Sequence, residues 1–103
     1  MRLGLLDVGS TTVRLLVVDA YRGAHPNPTH SEKTEPRLAE HLDDASLSRH
    51  GTTTLVRAVA DAQEPAATAG CEELVAFATS ALRDAHNSTV VLEEVRTRTG
   101  VTL

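Results

Sequence analysis

Apolar and polar positions divide the chain into short segments. Leu3 to Val8 and Val13 to Val18 are two apolar runs, and a polar Gly-Ser-Thr-Thr turn separates them. Their Leu and Val content predicts two buried strands over 2–8 and 13–20, joined as a hairpin. A turn is predicted from Asp19 to Gly23. A third strand is expected through Thr29 to Leu38, with Pro36 confining it to a sheet edge or ending it. Residues 39–47 read as an acidic loop carrying Glu40, Asp43 and Asp44. From Ser48 onward, Leu55, Val56, Val59, Ala60 and Ala62 recur at helical spacing and predict an amphipathic helix. Pro65 is expected to kink that helix or stop it early, because a proline in a helix interior costs about 3 kcal/mol, and Gly70 closes the segment.

Leu74 to Ala78, a short apolar run, predicts the next parallel strand. Residues 79–86 predict a turn or short helix. Asn87 or Ser88 then caps a helix whose inner face is Val91, Leu92 and Val95. Arg96 and Arg98 fall in its last turn, where cations favour the helix dipole, and Gly100 ends it. Val101 to Leu103 reads as the start of another strand. Hairpin strands followed by alternating helix and strand indicate an α/β domain with a mixed sheet. Ending on a nascent strand suggests an incomplete domain over 1–103, with a second domain absent.

Composition narrows the classes. With 103 residues, 41% of them hydrophobic, the chain is one small domain or part of a larger one. Aromatics are only 2%, Tyr21 and Phe77, so the core must come from Leu, Val and Ala. A net charge of −4 argues against a duplex nucleic-acid partner. It leaves room for a phosphate ligand, which local N–H groups and a metal can hold. The single cysteine, Cys71, rules out an internal disulfide and fits a packed thiol in a reducing compartment. No signal sequence and no bilayer-length apolar run are present, so a cytoplasmic protein with no membrane partner is expected. The five histidines show no metal-ligand spacing.

Two clusters carry chemistry. In Asp7–Arg14, Gly9 can take positive φ and let a phosphate approach the backbone. Ser10, Thr11 and Thr12 offer hydroxyls and N–H groups, Asp7 can hold Mg²⁺, and Arg14 can fork onto phosphate oxygens. An ordinary hairpin with a polar turn accounts for the same residues. In 78–87, Thr79 and Ser80 follow a strand end, where ligands of open α/β sheets gather. Their N–H groups can bind an anion, with Arg83 and Asn87 adding side-chain contacts. A helix N-cap with an Arg83–Asp84 surface pair accounts for this cluster too.

Asp-Val-Gly-Ser-Thr-Thr-Val-Arg-Leu-Leu resembles the opening phosphate motif of the exopolyphosphatase / guanosine pentaphosphate phosphatase (Ppx/GppA) family. Ala-Thr-Ser-Ala-Leu-Arg-Asp-Ala-His-Asn resembles that family's second signature, at the expected distance. Arg37-Leu38-Ala39 and the helix before Gly70-Cys71 also match, so the resemblance covers essentially the whole chain. The first motif is shared across the actin, Hsp70 and sugar-kinase fold; the second is more specific. The resemblance implies part of an actin-like, ribonuclease-H-like domain. It implies Mg²⁺-assisted hydrolysis of terminal phosphoanhydrides in inorganic polyphosphate or guanosine pentaphosphate. By matching position, Asp7 would serve the metal, Gly9, Ser10, Thr11 and Thr12 the phosphate, and Arg14 and Arg83 the substrate oxygens. Two positions depart from the family pattern: Thr11, where members usually carry Asn, and Pro65. The family's catalytic glutamate lies beyond the position of Leu103, so no general base is assigned and the 103-residue chain alone is expected to be inactive. In the isolated chain an open sheet edge and an uncovered apolar face predict aggregation or dimerisation; a homodimer is a separate expectation for the full-length protein. A non-catalytic phosphate- or nucleotide-binding remnant and a fragment of an actin-fold sugar kinase or ATPase are the alternative classes.

Overall fold

Both predicted hairpin strands form, and they lie at the centre of a four-stranded sheet. A computed structural model describes residues 1–19 and 30–103. Apart from Asp19 itself, the predicted turn over Asp19 to Gly23 therefore lies outside the described residues, as does the start of the third strand at Thr29. Strand β1 is Arg2–Val8, β2 is Val13–Asp19, β3 is His30–Thr34 and β6 is Glu73–Ala78. Their order is β3-β2-β1-β6, with β1 antiparallel to β2 and parallel to β6. The sheet is mixed, as expected, and β3 is the edge strand that Pro36 implied.

Alternation along the strands decides which face is buried. Leu6, Val8, Val13, Leu15 and Val17 are almost fully buried and meet Leu55 and Val59 of helix α1 (Arg49–Thr68) and Val91 and Val95 of helix α3 (Ser88–Thr99). The opposite face carries Leu3, Leu5, Leu16 and Val18, partly exposed, together with Val75 and Phe77 at 41% and 48% exposure. Each fully buried Leu or Val stabilises the fold by about 1.5–3 kcal/mol, so the helix-covered face supplies most of the core.

Ser48 opens α1 as its N-cap, with Oγ accepting the Gly51 N–H at 3.0 Å. The helix runs through Pro65 to Thr68, so the expected early stop does not occur. Pro65 lies one turn from the end and still offers its carbonyl to Ala69 N–H at 2.9 Å. Gly70, at φ +83°, then completes the C-terminal turn, with Cys71 N–H bonded to Ala66 O. Ala60, placed on the apolar stripe by spacing, is exposed.

The expected acidic loop is ordered. A 3-10 turn, Leu38–His41, leads into a small hairpin of β4 (Leu42–Asp43) and β5 (Ser46–Leu47). Asp44 and Ala45 turn it at positive φ, 49° and 63°. A single helical turn, α2 (Ser80–Arg83), links β6 to α3. Val101 to Leu103 forms no strand. Gly100 turns the chain at φ +80°, Val101 N–H bonds to Thr99 Oγ1, and Val101 packs into the core.

Candidate functional site

Residues 9–12 make the connection between β1 and β2 with a two-residue tip, Ser10-Thr11. Gly9 N–H donates to Thr12 O at 2.8 Å and closes the turn. Two-residue hairpins normally use turns with positive φ, which match the strand twist. None of residues 9–12 has positive φ. The expected positive φ at Gly9 is therefore not used; glycine instead relieves crowding, since a Cβ there would meet Thr12 O at 3.0 Å. The unusual turn is held from outside. Ala39 N–H donates to Ser10 O at 2.8 Å and Arg37 N–H to Thr11 O at 3.0 Å. With its carbonyls drawn toward the 3-10 turn, the loop leaves the N–H groups of Ser10, Thr11 and Thr12 unengaged among the described residues.

Asp7, Gly9, Ser10, Thr11, Thr12, Arg14 and Thr79 line one open cleft of about 370 Å³. Register explains the convergence. Asp7 pairs with Arg14 across β1–β2, and the parallel ladder ends at Val8 opposite Ala78. Thr79 N–H then donates to Val8 O at 2.9 Å, which sets Thr79 beside the loop. Its N–H is therefore taken up by the sheet and is not the anion donor expected from sequence. Its hydroxyl is different: Thr79 Oγ1 is buried without a hydrogen-bond partner among the described residues. Such an orphan is costly and calls for a ligand or water.

Of the rest of the second cluster, Arg83 and Asn87 are not among the described residues that line the cleft. Ser80 begins α2, and Arg83, exposed, ends it with its N–H on Thr79 O at 3.1 Å. Asn87 precedes α3 but does not cap it with its side chain. Its amide is engaged elsewhere: Leu47 N–H donates to Oδ1 and Nδ2 donates to Leu47 O, both at 2.9 Å. The expected contact of Asn87 with phosphate is replaced by this clamp on β5. Sequence reasoning missed the roles of Ala39 and Arg37, whose backbone groups shape the loop; only the Arg37-Leu38-Ala39 match hinted at them.

Oxygen donors dominate the cleft: one carboxylate, three loop hydroxyls and the orphaned Thr79 hydroxyl. That set suits a hard cation that keeps waters and shares phosphate oxygens. Among the described residues no group of three or more His, Cys, Asp or Glu side chains is placed to hold a metal by itself. Also among them, no helix is long and apolar enough to cross a membrane. Burial pushes the Cys71 thiol pKa up, against a nucleophilic role.

A family model described as the Ppx/GppA phosphatase family matches residues 17–103. Exopolyphosphatase 1 of Mycobacterium tuberculosis is 53% identical over 104 residues, covering 100% of this chain and 30% of that protein. Exopolyphosphatase 1 of Mycobacterium leprae is 51% identical over the same length, covering 31% of that protein. The chain thus spans about a third of the length of the curated relatives it matches. Among solved structures, an Aquifex aeolicus Ppx/GppA phosphatase superposes with TM-score 0.87 at 22% identity, over 99% of this chain and 34% of that one. An exopolyphosphatase from Cytophaga hutchinsonii gives 0.88 at 18% identity, over 99% and 33%. Those likenesses show the fold: a partial domain of the actin-like type.

Proposed function

This chain belongs to the Ppx/GppA phosphatase family, and on that premise we propose that it is the phosphate-binding part of an exopolyphosphatase, a hydrolase that shortens inorganic polyphosphate from its end. One observation carries the proposal. Among the described residues the buried hydroxyl of Thr79 has no partner, and it lies beside a loop whose N–H groups are unengaged. Asp7 and Arg14 flank the same cleft. A terminal phosphate fills that arrangement: N–H groups of Ser10, Thr11 and Thr12 and the Thr79 hydroxyl donate to its oxygens, while Arg14 neutralises charge. Exopolyphosphatase relatives at 53% identity support polyphosphate as the ligand class.

Asp7 would hold Mg²⁺, directly or through water, and the cation would supply charge neutralisation for the phosphate oxygens. In the overall reaction, water adds to the terminal phosphorus and the bridging P–O bond breaks. Orthophosphate and a chain one phosphate shorter are released. The cleft lining contributes one carboxylate, Asp7. We therefore expect binding without turnover from the 103 residues alone.

Titration of the chain with tripolyphosphate, by calorimetry with and without Mg²⁺, tests the reading. Thr79→Val is the informative variant because it removes the hydroxyl and keeps the shape. It should weaken tripolyphosphate binding while stabilising the ligand-free fold by about 1–3 kcal/mol, the cost of a buried unsatisfied group. Equal affinity for wild type and variant, or no binding by wild type, would overturn the assignment.

A further inference from the structure

We propose that Asn87 is a positioning residue for the phosphate-binding loop, acting through the β4–β5 hairpin without touching the ligand. This rests on the reading of residues 9–12 as a phosphate loop. The relay consists of hydrogen bonds and one shared packing site. The Asn87 carboxamide pairs with both backbone groups of Leu47, at 2.9 Å each. That pairing imitates a β-ladder and requires an adjacent donor and acceptor on one planar group, which the carboxamide supplies at neutral pH. The neighbouring residue repeats the tie: His86 N–H donates to Ala45 O at 2.8 Å. Ala45 and Asp44 are non-glycine residues at positive φ, a backbone state that persists only when its surroundings hold it.

The hairpin in turn fixes the 3-10 turn. Ser48 N–H donates to His41 O at 2.9 Å, so β5 and the end of the 3-10 turn move together. At the other end of that turn, Arg37 (φ 52°) and Ala39 hold the carbonyls of Thr11 and Ser10. Leu38, Leu42, Leu47 and Leu82 also share a small apolar cavity with Gly9 and Ser10, directly beneath the loop. Residues 9–12 lack the positive φ that would make a hairpin turn self-sufficient. Their geometry therefore depends on these external bonds, and Asn87 anchors the far end.

The test reads the ligand-free 103-residue chain by NMR. Asn87→Ala should move the amide resonances of Ser10, Thr11 and Thr12. It should speed exchange of the Ala39 and Leu47 amides by about tenfold, while Leu6 and Leu15 keep their protection. Asn87→Asp keeps the acceptor for Leu47 N–H and loses the donor, so it should give a smaller shift of the same resonances. If Asn87→Ala unfolds the chain, the Asp variant decides. Unmoved Ser10–Thr12 resonances with a disturbed Leu47 would overturn the relay and leave Asn87 as a local hairpin tie. Because no ligand is present, this outcome is independent of whether tripolyphosphate binds. In a parallel titration, Asn87→Ala should lower tripolyphosphate affinity about tenfold, or roughly 1.4 kcal/mol. Unchanged affinity would likewise overturn the proposal.

Discussion

Asp7 and Arg14 stand directly opposite each other on neighbouring antiparallel strands, and both face the same cleft without closing into an ion pair. Opposite residues of an antiparallel pair share a sheet face and sit about 4.5–5.5 Å apart at Cβ. On the reading proposed above, the carboxylate serves a cation and the guanidinium an anion. Arg14→Ala should weaken tripolyphosphate binding by about 1.5–3 kcal/mol, the worth of a charge-assisted hydrogen bond. Arg14→Lys should recover little, because the fork geometry is lost. Asp7→Asn should remove the dependence of binding on Mg²⁺ and leave metal-free binding near the wild-type value. Calorimetry with the metal varied separates the two roles.

Arg2 closes the opposite end of the same strand pair. Its Nε and Nη2 reach the two carboxylate oxygens of Asp19 at 2.8 and 3.3 Å, and Nη1 donates to Ala69 O at 2.9 Å. The hydrogen bond from Arg2 holds the Asp19 carboxyl below its ordinary pKa. A depressed carboxylate contributes stability that is present above its unfolded pKa and is lost as pH falls through the folded one. Urea midpoints followed from about pH 5 down to about pH 2 should fall more steeply for wild type than for Arg2→Met. Parallel pH profiles would show that the pair adds nothing to the fold.

Gly51 makes a test of packing against propensity. Alanine in place of a helical glycine ordinarily gains about 1 kcal/mol. Here an added Cβ would meet His41 Cβ at 2.6 Å and Leu47 Cδ1 at 2.7 Å. Forcing extra volume into such a contact costs about 1–3 kcal/mol, so Gly51→Ala should be net destabilising and should displace the β4–β5 hairpin. An increase in unfolding midpoint would mean that the hairpin gives way freely.

Pro65 predicts the reverse sign. It denies the Asp61 carbonyl its helical N–H partner inside a helix that continues to Thr68. Pro65→Ala should therefore stabilise the chain by about 1–2 kcal/mol, less than the full interior penalty because the proline is close to the helix end. Chemical denaturation of both forms gives the number, and a loss of stability would show that what the proline ring contributes to the wall of the cavity it shares with Leu6 and Leu15 outweighs the missing bond.

Phe77 and Val75 project from edge strand β6 on the sheet face away from the helices. Apolar side chains on an open edge favour association. Phe77→Ser with Val75→Thr should lower the sedimentation-average mass at high concentration without moving the helical circular dichroism. A concentration-independent wild-type mass would contradict this.

The local chemistry of the chain determined most of its elements. Leu- and Val-rich apolar runs set β1 and β2, the Leu55–Val56–Val59 spacing set α1, Ser48 its start, and Gly70 and Gly100 the helix ends, because each depends on neighbours within a turn or a strand. The two motifs were legible for the same reason, being contiguous in sequence. Tertiary contacts decided the rest. Val101 packs into the core instead of extending into a strand, held by Thr99 and the turn at Gly100. Asn87 reads as a cap or a ligand until Leu47, forty residues away, claims its amide. The loop over residues 9–12 owes its form to Arg37 and Ala39, and Thr79 reaches its side because the parallel ladder brings β6 beside β1. Hydrogen bonds between residues distant in sequence leave no periodic trace along the chain, whereas burial of one face does.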